Sequence, residues 1–354
     1  MPGLPFATPV TLEELWSNIL HDLGAAPYTA SNHPTDMHGI LLAVSSGLYQ
    51  TNLSDYGDGS DGVQTFDGTT TILGLAPSTS VYTLTRDIWL GNLSTINSGV
   101  TIKTAGFRIF VQGELVNNGT IQSNGNAAAA NAGAAGAALS YTGTLSSGIV
   151  GTAGGASGTT TATGGTNASV GSIGASPIGV GGVGGASTVT VNAGGAAGTV
   201  TAIGATAELP RSTPMAIVGK LNTTTGFVAL AGGTGGGSGG GDATYGSGSG
   251  GGGGGIVVVV AQRVGGTGTI SANGGAGGSA STNAAATSGG GGGGGGGLVI
   301  VVSRSVQPVA VNSSGPLIAN QTITAAGGAG GASGTAGGVA GTAGGVGTVI
   351  LLAT

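Results

Sequence analysis

The stretch Gly289-Gly290-Gly291-Gly292-Gly293-Gly294-Gly295-Gly296-Gly297 runs without a break into Leu298-Val299-Ile300-Val301-Val302. Nine glycines give the backbone no side chain to bury, and the next five residues are a β-strand in composition. The junction recurs. Gly250–Gly255 leads into Ile256–Val260, and Gly344-Gly345-Val346-Gly347 leads into Thr348–Leu352. Each strand start is about 40 to 50 residues from the next, the signature of stacked supersecondary units.

A second element repeats beside it. Thr120-Ile121-Gln122-Ser123-Asn124-Gly125 returns as Thr269-Ile270-Ser271-Ala272-Asn273-Gly274 and as Thr322-Ile323-Thr324-Ala325-Ala326-Gly327. Thr190-Val191-Asn192-Ala193-Gly194 is a looser copy. The order is therefore T-I strand, glycine tract, apolar strand. The tracts keep a three-residue period: Gly328, Gly331, Gly334 and Gly337 share one phase, then Gly338, Gly341, Gly344 and Gly347 another. A period of three belongs to the extended left-handed helix with three residues per turn and about 3.1 Å rise. Glycine on an edge of that helix lets neighbouring backbones meet and bond. Collagen is excluded by the phase slips and by only 11 prolines. The expectation is a bundle of polyglycine-II helices, antiparallel or mixed, sandwiched with β-strands, in which Gly289–Gly297 spans roughly 28 Å.

Composition supports order over disorder. Glycine supplies 82 of 354 residues, yet charged residues are only 5% of the chain, whereas disordered chains are polar and charged. Cysteine is absent, which excludes a disulfide scaffold, a cysteine nucleophile and an iron–sulfur site. Seven Lys and Arg against a net charge of -5 argue against nucleic acid as a partner. The start Met1-Pro2-Gly3-Leu4-Pro5-Phe6 has no basic n-region, and no apolar run reaches 18 residues. Neither a signal peptide nor membrane insertion is expected.

Only 14 of the 82 glycines precede residue 124, and nine of the twelve acidic residues lie in the first 87. Three parts are therefore expected: 1–54, 55–123 and 124–354. In the first, Thr11-Leu12-Glu13-Glu14 has capping-box form. Leu12, Leu15, Trp16, Ile19, Leu20 and Leu23 then share one helical face, with a second short helix expected around 35–46. These apolar faces need a surface, either a partner subunit or the following domain. In the second part, short strands at 81–85, 93–96, 100–102, 107–111, 115–116 and 120–121 alternate with Ser98-Gly99, Ala105-Gly106, Gln112-Gly113 and Asn118-Gly119 turns. That spacing suits a sandwich or a β-solenoid. The fold class is all-β, with the short helical region at its start.

Leu84-Thr85-Arg86-Asp87, Asn97-Ser98-Gly99-Val100, Gly106-Phe107-Arg108-Ile109-Phe110-Val111 and Asn117-Asn118-Gly119-Thr120-Ile121 resemble a segment of glycine-rich bacteriophage virion proteins. The glycine-run, apolar-strand and T-I-x-x-N-G-G blocks resemble the same group of tail-fibre, head-fibre and adhesin proteins, across residues 55–354. The resemblance implies a virion-surface protein with polyglycine-II domains, attached to other virion proteins through its N-terminal region. It implies a host-cell glycan or outer-membrane protein as partner, and a homo-oligomer, with a trimer as the fibre precedent. A capsid decoration or head-fibre role is the alternative.

The candidate receptor contacts are the residues that interrupt the glycine: Tyr141, Glu208, Arg211, Lys220, Phe227, Asp242 and Tyr245. Loops on a rigid scaffold are where recognition usually resides. The candidate attachment residues are those of the first helical face. Asp55, Asp58 and Asp61 are spaced by three, unlike the alternate carboxylates of calcium loops, and read as an acidic turn first and a calcium site second. His21, His33 and His38 read as solvated. After residue 115 the only acids are Glu208 and Asp242, which disfavours a depolymerase with paired carboxylates. No cofactor motif is present, because the Gly-x-Gly strings lack the Lys-Ser/Thr of a phosphate loop. The expectation is a non-enzymatic protein.

Overall fold

The computed structural model describes residues 56–131, 134–137, 139, 167, 179–188, 192–198, 232–242, 244–303 and 321–353. They hold twelve strands and no helix. The expected helices in 1–54 lie outside them.

Strands β1 (Thr65–Phe66), β4 (Ser94–Ile96), β6 (Ile109–Asn117), β8 (Ile256–Gly265), β10 (Leu298–Ser303) and β12 (Thr348–Ala353) form one sheet in that order. A further strand, β3 (Ile88–Leu90), lies in line with β4 and pairs with the first part of β6. The second sheet runs β11 (Thr322–Thr324), β9 (Thr269–Ser271), β7 (Thr120–Gln122), β5 (Thr101–Lys103), β2 (Val81–Thr83). Every strand pairing is parallel. β3 and β4 both belong to the first sheet; from β4 onward the chain alternates between the sheets at every strand, and consecutive strands never pair.

The T-I repeat explains the second sheet. Its central residues fall in register as Tyr82, Ile102, Ile121, Ile270 and Ile323, all fully or almost fully buried. They meet Val257, Val259, Ala261, Val299 and Val301 of the first sheet in one core. Alternate residues point to opposite faces of a strand, so Ile256, Val258, Val260, Leu298, Ile300 and Val302 build a second cluster on the far face, with Tyr56 and Phe110. Sheet residues in β8 and β10 are thus buried on both sides, which is why these strands read as continuous apolar runs. Trp89 stacks on Phe110 at 4.1 Å on that same face.

Two sequence readings change in detail. The segments expected at 107–111 and 115–116 belong to one nine-residue strand, β6, whose register against β8 shifts between Val111 and Glu114. The strand at Ile88–Leu90 escaped the sequence reading because it is only three residues long and flanked by charge. The change of composition at residue 123 marks where the glycine segments begin, while both sheets continue across it: β8 pairs with β6 and β9 with β7.

Glycine segments leave the second sheet after β7, β9 and β11 and re-enter the first at β8, β10 and β12. The run 289–297 lies at their centre and is bonded to six other segments. Gly289, Gly292 and Gly295 donate to Gly240, Gly237 and Thr234. Gly290, Gly293 and Gly296 donate to Val339, Thr342 and Gly345, while Gly291, Gly294 and Gly297 donate to Gly278, Gly275 and Ala272. Its carbonyls accept in the same rhythm from segments 246–255, 179–188 and 325–336. Each direction is used every third residue, and neighbours run both parallel and antiparallel. A methyl group on Gly293 would collide with the Gly328 carbonyl oxygen. None of Gly289–Gly297 has a positive φ; glycine is required here for close approach alone.

At the surface the code relaxes. Segment 325–336 has three bonded neighbours, and Ala326, Ala329, Ala332 and Thr335 point outward at every third position. Segment 338–347 keeps glycine at every third position, Gly338, Gly341, Gly344 and Gly347, each packed against the central run or the turn before it, and at Gly345 besides. Its Val339 and Val346 are exposed, as are Val180 and Val183 of the adjoining segment. Side chains at these outward positions occupy the space another glycine helix would need.

Candidate functional site: the turns at the far end of the glycine segments

The register of the glycine segments decides where their turns lie. Residues 123, 255, 272, 297, 325 and 347 abut the strands, so the opposite ends of the same segments carry the turns. Those turns are tied together: Asn131 donates to Ser279, Thr188 to Thr287, Ser281 to Gly246, and Ala336 to Ala286. The result is one face bearing Asn131, Thr188, Thr244, Tyr245, Thr282 and Asn283, exposed except for the half-buried Tyr245. It contains hydroxyls, amides and one phenol, with no charge displayed.

Asp242 sits beneath this face, 5% exposed. One carboxylate oxygen accepts from the Thr244 and Tyr245 amides, fixing the turn, with the Thr244 bond at 2.8 Å. The other accepts from the amide and hydroxyl of Thr287 at 2.9 and 3.1 Å. Burial pushes the carboxyl pKa up, and these four bonds to the charged form outweigh it, leaving the pKa below the ordinary carboxylate value. Asp242 therefore joins two turns from inside, and Tyr245 is the neighbour it positions. Asn283 does a similar local task, accepting from the Ala285 amide at 3.0 Å.

The other expected contacts, Tyr141, Glu208, Arg211, Lys220 and Phe227, lie outside the described residues, as do Leu12, Leu15, Trp16, Ile19, Leu20 and Leu23. Thr282, Asn283, Thr188 and Asn131 were missed by a sequence reading that looked for bulky or charged residues. The available signal was positional: each interrupts the three-residue glycine period between two tracts.

Elsewhere among the described residues, three of the four cations are paired with carboxylates. Asp61 binds Arg86 through both oxygens, one bond being 2.8 Å, and accepts from the Trp89 amide at 2.7 Å. Burial raises its pKa, but the Arg86 and Trp89 bonds lower it more, for a net downward shift. Asp58 accepts from the Ser60 amide at 2.9 Å and closes a local turn. Asp55 lies outside the described residues, and among those described no cluster of three His, Asp or Glu could hold a metal ion. Asp87 binds Arg108 at 2.6 Å, and Glu114 faces Arg263 at 3.8 Å. Asp67, partly exposed, accepts from Thr70 and Thr69 and from the Tyr82 hydroxyl, and the Thr70 and Thr69 bonds above all hold its pKa well below the usual range.

No family model matches the chain, and neither a curated protein nor a solved structure matches it.

Proposed function

We propose that the chain is a non-enzymatic structural protein of a bacteriophage virion, a fibre or spike that acts as a host-receptor-binding adhesin. In this reading the two parallel sheets, between which the chain alternates from β4 onward, are the coils of a β-solenoid. The three-residue bonding rhythm of the glycine segments is that of a polyglycine-II bundle. The observation that carries the reading is the gathering of five turns onto one face at the end of a scaffold held by backbone bonds. Such a scaffold orders its tip without spending side chains, leaving Tyr245, Asn283 and their neighbours for a partner. Tyrosine and small polar residues offer contact area and adaptable hydrogen bonds at modest entropic cost.

The test is competition. Saturating purified protein should block adsorption of the parent phage to its host, and an antibody against residues 242–246 should label virions at the fibre tip. Unchanged adsorption at saturation overturns the adhesin role. Labelling confined to the capsid surface would assign the chain to decoration instead.

A further inference from the structure

Of the four Lys and Arg among the described residues, Arg86, Arg108 and Arg263 face carboxylates. Lys103 faces none among the described residues. It is exposed and borders a groove of about 320 Å³, lined by Thr83, Gln122, Asn124, Asn126 and Leu139 besides itself. That volume is in the range of small-molecule sites.

The groove lies where the two regions of the molecule meet. Its floor is the outward row of the second sheet, with Thr83, Lys103 and Gln122 in register on β2, β5 and β7. Adjacent strands place these side chains about 4.8 Å apart. Its wall is the first glycine segment, carrying Asn124 and Asn126. The polar groups are partly committed in a way that orients them. Gln122 accepts from the Asn124 amide at 2.7 Å, which leaves the Gln122 amide hydrogens to donate. Asn124 in turn accepts from the Asn273 backbone at 2.8 Å. Asn126 donates to the Ala137 carbonyl at 3.0 Å, which leaves its side-chain oxygen to accept. The groove thus offers one cation, one oriented donor pair, one oriented acceptor, the Thr83 hydroxyl, and the apolar contact of Leu139.

We propose that this groove binds an acidic sugar unit of the uronate class, its carboxylate on Lys103 and its hydroxyls on Gln122, Asn126 and Thr83. One lysine supplies a point charge for one carboxylate. A phosphate would call for several charged donors or an arginine fork, and among the described residues Lys103 is the one charged group lining the groove. The alternating amide and hydroxyl groups suit a polyol, while Leu139 meets the C–H face of a ring. The assignment does not depend on the virion reading.

Calorimetric titration of the full chain with a galacturonate trisaccharide tests it, with a neutral galactose trisaccharide and inorganic phosphate as the other arms. The uronate should bind at least about tenfold more tightly than the neutral sugar, as a charge-assisted hydrogen bond implies. Lys103→Gln should remove that advantage and Lys103→Arg should retain most of it. Asn126→Asp, which sets a carboxylate opposite the ligand's own, should weaken uronate binding further. Because Lys103 and Asn126 are exposed, the variants should melt with the wild type, so a binding loss reads on the groove. Equal binding of charged and neutral sugars, phosphate binding in place of uronate, unaltered uronate affinity in Lys103→Gln, or no uronate binding overturns the proposal. Uronate binding by a protein that leaves adsorption unchanged supports the groove while separating it from the adhesin reading.

Discussion

The strands and the glycine segments of this molecule solve the same problem in opposite ways. In β10 each residue from Leu298 to Val302 brings a side chain to one of two apolar clusters, and the backbone bonds run within the sheet. Five residues before that strand begins, Gly293 has no side chain, and its backbone lies in a segment bonded outward in six directions. Strand stability rests on apolar area removed from water, about 25 cal/mol per Å². The glycine segments give up that term and suffer the largest backbone entropy loss of any residue; dense hydrogen bonding and close backbone contact offset it. One region therefore tolerates volume-conserving exchange, and the other admits within its bundle only small side chains such as the buried Thr234, Ser238 and Ser249.

The sharpest way to break this contrast is Gly293→Val. Every direction around that segment is occupied, so the variant should lose the folded bundle, a destabilisation of more than about 4 kcal/mol. Circular dichroism and thermal melting read it; a protein that melts near wild type would show that the segments do not approach as described. Ile300→Ala, in the strand that the same run enters, should cost about 2–5 kcal/mol by leaving a cavity, and chemical denaturation measures it. Gln321→Leu should come next, at about 1–3 kcal/mol. Gln321 is buried at the ends of β6 and β8, donating to the Asn117 and Gly265 carbonyls at 2.8 and 3.0 Å and accepting from the Asn117 side-chain amide at 2.7 Å.

Acid should separate the regions more gently. Asp61 on the strand side and Asp242 at the glycine turns both have folded pKa values below their unfolded ones. Their stabilisation is complete above the unfolded carboxylate pKa, about 3.9, and is lost as pH falls through the folded values. The melting temperature should hold from neutral pH to about pH 5 and drop below about pH 4. Asp242→Asn should flatten part of that drop, and an unaltered acid profile in this variant would remove Asp242 from the account. The smallest effect should come from Ala329→Thr, within about 0.5 kcal/mol, because position 329 points outward from the same segment in which Gly328 cannot change. A large loss there would mean that the outward third of the surface segments is also in contact.

Much of this was legible in the sequence. The Thr269-Ile270-Ser271 and Thr322-Ile323-Thr324 repeats marked strands at those residues, and the apolar run Leu298–Val302 marked another, whose burial on both faces the structure added. The three-residue glycine period anticipated the bonding rhythm. Less was legible at the candidate site. Asp242 looked like a contact residue because it is a lone charge in glycine; its four bonds come from amides and a hydroxyl in two separate turns, and a linear sequence does not show that they meet. Lys103 attracted no notice because its lack of a carboxylate partner is a statement about space.

The sequence by itself determined which positions are barred to side chains, since glycine at two or three of every three residues has no cheaper explanation than backbone contact. It also determined which residues form strands, through apolar runs and the repeated T-I pair. Only the tertiary structure decided which segments are neighbours, that all strand pairing is parallel, and that the turns collect on one face. The physical reason is that a glycine backbone carries no side-chain identity. Any glycine segment can bond to any other, and the choice is made by the strands that fix where each segment begins and ends.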